Sequence, residues 1–174
     1  MTDTTLTRLH LDSVKRQTSE QLQVQRVTAV VLALGSNYRA EHYLSHARLQ
    51  LAALGVMQLS GAFTNPDFTA TATQPKPDYT NQCVYLSLTS PTTWQELQQL
   101  FKQFEHNCDR QRHGKKMASE QVTISSVTIN SVTMDIDILL LKLEDSGDWT
   151  VIEDRYPFKS HERVGVGFLL GNVN

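Results

Sequence analysis

The chain has 174 residues, 16 Lys+Arg against 18 Asp+Glu, and a formal net charge of -2. That length supports one domain with a buried core, and the near-neutral charge argues against nucleic acid as a partner. No apolar stretch is long enough to span a membrane, the N-terminus lacks a signal-peptide apolar region, and Cys83 and Cys108 form neither a metal-like spacing nor a disulfide framework, so a soluble, cytoplasmic protein is expected.

In chain order, residues 1–26 are polar and rich in Thr, Gln and Ser, and read as an extension; residues 27–174 read as a single domain. Val27–Leu34 is apolar on both faces apart from Thr28, which predicts a central strand covered on both sides. It runs into Gly35-Ser36-Asn37, a strand-to-helix turn in which Ser or Asn can cap the next helix or present N–H groups to an anion. Leu44, Ala47, Leu51 and Leu54 follow at helical spacing, predicting a helix over 40–54 with Gly55 as its C-cap. His42 and His46 lie four apart on it, but no carboxylate completes an H-E-x-x-H pattern, so exposed or capping histidines are expected.

Val56–Phe63 reads as a short strand. A long connection then carries Pro66, Pro75 and Pro77, and connections of that length are either disordered or functional. Its far end, Pro77-Asp78-Tyr79-Thr80-Asn81, pairs an aromatic face with an amide, groups suited to a planar heterocycle; a strand-edge tyrosine and a turn-capping asparagine are the plainer alternative. Asn81–Thr89 is a strand with Val84, Leu86 and Leu88 on one face. Thr93 and Glu96 form a capping box for a helix over 93–107, whose Trp94, Leu97, Leu100, Phe101 and Phe104 are core residues. Behind Glu105 comes a cationic run, Arg110, Arg112, His113, Lys115 and Lys116, a solvated stretch at minimum and a phosphate site if it lies beside carboxylates. Residues 122–134 nearly repeat every five residues, an odd period that predicts either turns or bulges and a hairpin arm, or a poorly ordered segment.

Met134–Leu141 reads M-D-I-D-I-L-L-L, a strand that belongs in a core. Strand alternation puts Asp135 and Asp137 on one face and Ile136 and Ile138 on the other. Carboxylates at such a place need solvent at the sheet rim, an arginine or lysine partner, or a divalent cation, and hard oxygen donors on one rigid element suit Mg²⁺. A further short strand is expected at Trp149–Ile152. The order strand, helix, strand, strand, helix, strand predicts an α+β fold: a ferredoxin-like antiparallel sheet with helices 40–54 and 93–107 packed on one face.

Several of these stretches line up with one family. A-L-G-S-N at 33–37, P-D-Y-x-N at 77–81, Glu105 with Arg110 and Arg112 behind it, and D-I-D-I-L at 135–139 resemble 6-hydroxymethyl-7,8-dihydropterin pyrophosphokinase, over about Val27 to Leu170. The resemblance implies pyrophosphate transfer from ATP to a reduced pterin in folate biosynthesis, by a monomer. It implies that Asp135 and Asp137 hold two Mg²⁺ ions with ATP, that Tyr79, Asn81 and Phe168 bind the pterin, and that Glu105, Arg110, Lys115 and His161 bind ATP. Arg110 and Arg112 correspond to basic residues near the catalytic loop. The chain departs from the family at its R-W-G-P-R segment, where Asn130-Ser131-Val132-Thr133-Met134 stand, with Val132 in place of the arginine nearest the aspartates. Ser160 stands where a proline usually precedes the histidine. The alternative implied by these departures is a catalytically impaired paralogue that binds pterin or nucleotide.

Overall fold

The computed structural model describes residues 11–109 and 131–171. Residues 110–116 and the five-residue repeat up to residue 130 lie outside them, so the expected hairpin arm and cationic run have no structural description. The described residues form six strands and four α-helices. The strands are β1 (Lys15–Gln17), β2 (Arg26–Ser36), β3 (Gly55–Asn65), β4 (Tyr79–Thr93), β5 (Asp135–Leu143) and β6 (Trp149–Ile152). The helices are α1 (Ser19–Leu22), α2 (Ala40–Ala52), α3 (Trp94–Asn107) and α4 (Ser160–Leu170).

The six strands make one sheet in the order β1-β6-β5-β2-β4-β3. β2 lies inside it, antiparallel to both β4 and β5. Its unbroken apolar run has a physical cause: Val30, Leu32 and Leu34 enter the core under α2 and α3, while Val31 and Ala33 enter a second core on the opposite face. The β2-α2-β3-β4-α3-β5 unit is the expected ferredoxin-like α+β fold. As expected, α2 and α3 share one face, where Leu44, Ala47 and Leu51 meet Leu97, Phe101 and Phe104. The Thr93–Glu96 capping box forms at the start of α3.

Three features extend that plan. β1 runs parallel to β6, so the sheet is mixed rather than wholly antiparallel. Leu11 and Val14 from the polar N-terminal stretch are buried against Val31, Leu139 and Val151. The C-terminal stretch forms α4, which packs on β3 and β4 across the sheet from α2 and α3. Gly165 sets that distance: a Cβ there would lie 2.3 Å from Cys83 Sγ.

Two local expectations need correction. Neither Ser36 nor Asn37 caps α2; the N-cap is Arg39, left-handed at φ 46°, with no side-chain cap. Asn37 instead holds the chain that leads into β5. Its N–H donates to Val132 O at 3.0 Å and its Oδ1 accepts from Val132 N at 2.5 Å. The backbone of Asn37 thus takes the Val132 carbonyl and its side-chain oxygen takes the Val132 N–H, so both backbone groups of Val132 are satisfied by one residue. Gly55 is the first residue of β3 rather than a C-cap. A Cβ there would stand 1.9 Å from Ser87 O, so glycine lets two backbones close.

Candidate functional site

The starts of β4, β5 and α4 and the end of β2 meet at one end of the sheet. The pleat puts Ile136 and Ile138 in the core and leaves Asp135 and Asp137 half-buried on the other face. Gly35 pairs with Asp135 on one side and with Asn81 on the other, so β2 carries the carboxylates and the amide across a single strand. A cavity of about 320 Å³ opens there, and Tyr79, Asn81, Asp135, Asp137 and His161 all line it. Asn81 Nδ2 donates to Asn65 Oδ1 at 2.5 Å.

A second cavity, of about 280 Å³, lies between α3 and the strands β5 and β6. Its walls include Phe101, Lys102, Glu105, Ile138 and Arg155. Asp137 lines both cavities. Glu105 is 3 % exposed and accepts a hydrogen bond from Ile136 N at 2.9 Å, which ties α3 to the strand between the two aspartates.

The electrostatics centre on Asp137. Burial, and then the charge of Asp135 beside it, push its carboxyl above the ordinary carboxylate range, against the pull of Arg155 and Lys159. Arg155 Nη2 lies 3.0 Å from Asp137 Oδ2 and 3.3 Å from Glu162 Oε1. Glu162 is buried and also accepts from Lys159 N at 2.7 Å. Burial lowers the His161 imidazole, which favours its neutral form at neutral pH. Burial, with Glu162 close by, raises the Cys83 thiol to about 12, so that cysteine is no nucleophile.

Of the residues singled out from sequence, Asp135, Asp137, Tyr79, Asn81 and His161 come together at the first cavity, and Glu105 joins them through the second. Phe168 does not line either: it is 69 % exposed on α4. Phe68, in the connection after β3, is the phenylalanine that lines the first cavity, at its exposed rim. Arg110, Arg112 and Lys115 lie outside the described residues. His42 and His46 are exposed, as expected, with His46 Nδ1 3.5 Å from Cys108 Sγ. Arg155, Lys159 and Glu162 carried no pattern that sequence alone would flag.

The donor set fits Mg²⁺. Two carboxylates crowd one strand face, and a divalent cation would relieve the repulsion that adds to burial in raising Asp137. Among the described residues no group of three or more His, Cys, Asp or Glu could cage a metal ion. Mg²⁺ itself takes one or two carboxylates and fills its octahedron with water and phosphate oxygens.

Comparison with known families agrees with this geometry. A family model described as 7,8-dihydro-6-hydroxymethylpterin-pyrophosphokinase matches residues 31–152. That span includes Tyr79, Asn81, Glu105, Asp135 and Asp137, and stops before Arg155 and α4. A comparison with curated proteins gives no match.

Proposed function

Because this chain belongs to the 7,8-dihydro-6-hydroxymethylpterin-pyrophosphokinase family, we propose that it transfers pyrophosphate from ATP to 6-hydroxymethyl-7,8-dihydropterin. The family consists of pyrophosphokinases of folate biosynthesis, and the finer assignment is our reading of the site. One observation carries it: Asp137 stands on the wall between two cavities, one with an aromatic ring and an amide, the other reaching along α3. Two substrates that react with each other need adjoining pockets and a charged group at the junction.

In this reading the pterin enters the first cavity, against Tyr79 and Asn81. The nucleotide occupies the second, beside Glu105 and Phe101. Phe68 takes the place in the pterin wall that sequence assigned to Phe168. Asp135 and Asp137 would hold two Mg²⁺ ions, which would neutralise the triphosphate and favour in-line displacement. The pterin hydroxymethyl oxygen attacks the β-phosphorus, its proton passes to solvent water, and the bond from the β-phosphorus to the bridging α-phosphate oxygen breaks to release AMP. Asp135 and Asp137 set the position of the triphosphate, and the walls limit water. Arg110, Arg112 and Lys115 steady the transferred group and AMP, with His161 near the pterin side. The reading takes residues 27–174 as the family domain, with the part of the 1–26 extension from Leu11 to Leu22 packed onto its sheet and core, the whole acting as a cytoplasmic monomer. No described helix is long and apolar enough to cross a membrane.

A second reading has one observation in its favour. Val132, half-buried just before β5, offers no donor where the family has an arginine. It favours a paralogue that binds pterin or nucleotide without efficient transfer. AMP release from ATP, Mg²⁺ and the reduced pterin separates the two. AMP formation above the metal-only background supports transfer; binding of both ligands with no AMP supports the paralogue.

A further inference from the structure

The turn after β6 brings a cation to the aspartate pair from outside the family-matched span. Arg155 lies in a short 3₁₀ turn, Glu153–Arg155, and reaches Asp137 at 3.0 Å and Glu162 at 3.3 Å. Its Nε is buried with no hydrogen-bond partner among the described residues, so the guanidinium is held by carboxylates on one side only. The turn is fixed from behind by the N-terminal stretch. Arg16 of β1 stacks 3.8 Å over the Tyr156 ring, and Tyr156 Oη donates to Asp12. β1 also pairs with β6 directly ahead of the turn. This support aims Arg155 at Asp137.

We propose that Arg155 is a built-in counter-cation for Asp137 that a divalent ion must displace, so that metal binds strongly only when a nucleotide takes over the guanidinium. The inference rests on reading Asp135 and Asp137 as metal ligands. Without metal, two carboxylates on one strand face and buried Glu162 repel one another, and Arg155 bridges two of them. A guanidinium on Oδ2 occupies a position a metal would use, and its charge opposes a dication within a few ångströms. A triphosphate offers Arg155 anionic oxygens suited to its fork. The exchange frees Asp137 for the metal and moves a positive charge onto phosphate, where Val132 supplies none. Metal and nucleotide then bind with positive coupling.

The test uses the full nucleotide-free chain with Mn²⁺ as the probe, followed by electron paramagnetic resonance. Arg155→Met and Arg155→Gln should each tighten Mn²⁺ binding by about ten-fold or more, since relief of one nearby like charge is worth at least that much. Adding Asp137→Asn to either should abolish the gain. Unchanged Mn²⁺ affinity in both Arg155 variants, with a parent still weakened by Asp135→Asn plus Asp137→Asn, would overturn the counter-cation and leave the metal ligands standing. Mn²⁺ binding indifferent to the double aspartate change, in the parent and with Arg155→Met, would overturn the metal reading itself. Should the variants fold poorly, nitrogen-edited NMR of the Arg155 guanidinium in the unsubstituted chain decides. Mg²⁺ with α,β-methylene ATP should shift that signal, and an unmoved signal in the saturated complex would refute the exchange.

Discussion

The carboxylate of Glu105 accepts a 2.9 Å hydrogen bond from the backbone N–H of Ile136, the residue between Asp135 and Asp137. The bond is buried and joins α3 to β5 at the one point where both proposed metal ligands depend on strand position. Glu105→Ala leaves that N–H orphaned, at a cost of about 1–3 kcal/mol. At roughly 2–4 °C per kcal/mol for a chain of this size, the melting temperature should drop clearly. Glu105→Gln keeps an acceptor oxygen and should lose less. A calorimetric scan in which the alanine variant melts with the parent would show that the tie contributes nothing.

Asp135→Asn plus Asp137→Asn should remove Mg²⁺-dependent ATP binding. Amides keep the shape of the strand face but bring no charge to a hard cation. Titration calorimetry with and without Mg²⁺ reads this directly. Equal Mg²⁺-dependent affinity in parent and variant would place the metal elsewhere.

Asp137 also makes stability depend on pH. Its carboxyl holds a proton more tightly folded than unfolded, where the ordinary value is near 3.8. Such a group favours folding while protonated, and the contribution is lost as pH rises through its raised value. In metal-free buffer the Asp137→Asn variant should therefore gain on the parent in melting temperature between pH 4 and neutrality. A gap that narrows over that range would show that the Arg155 pair outweighs burial and Asp135.

Val132→Arg should raise kcat. Loss of a donor that acts in the transition state typically costs about 10²–10³ in rate. The backbone bonds of Val132 with Asn37 do not involve its side chain, so an arginine can replace it without loosening that joint. Lys115→Ala plus Lys116→Ala should lower kcat with pterin affinity unchanged, if those lysines compensate. Steady-state AMP release measures both, and a parent near 1 s⁻¹ that ignores the lysine change would exclude the compensating cations.

Gly165→Ala should loosen α4 from the sheet. The new methyl would meet Cys83 Sγ at 2.3 Å and Cβ at 2.7 Å, neither of them the tip of a flexible chain. Overpacking of this kind costs typically about 1–3 kcal/mol. Because α4 carries His161 to the first cavity, pterin affinity should fall along with stability. Fluorescence titration with the pterin checks the first, thermal melting the second.

The parts legible in sequence are those where local pattern and tertiary need coincide. β2 is apolar throughout because both its faces are covered, and β5 shows its two acids because alternation turns them away from the core. α3 announces itself with a capping box and an aromatic stripe. α4 does not: Gly165 and Gly167 break its apolar pattern, and Gly165 is there for close approach to the sheet. β1 is Lys-Arg-Gln, a strand only because β6 offers a partner. Arg155 gave no signal for a similar reason. One arginine in an E-D-R turn is unremarkable until the fold sets it against a carboxylate eighteen positions earlier. Phe168 and Phe68 are both aromatic, and only the path of the connection after β3 decides which one meets the cavity.

The parallel pairing of β1 with β6 reaches beyond the site. Those three residues cover the outer row of β6 backbone N–H and C=O groups with a strand of only three residues, two of them charged. Removed, they would leave β6 as an open template for a strand of another molecule, and Leu11 and Val14 would leave apolar surface bare behind them. A shortened chain starting near Arg26 would keep β2 to α4 and be prone to join its own kind edge to edge. Residues 11–17, polar and unpromising as they read, thus cover one edge of β6 and part of the second core.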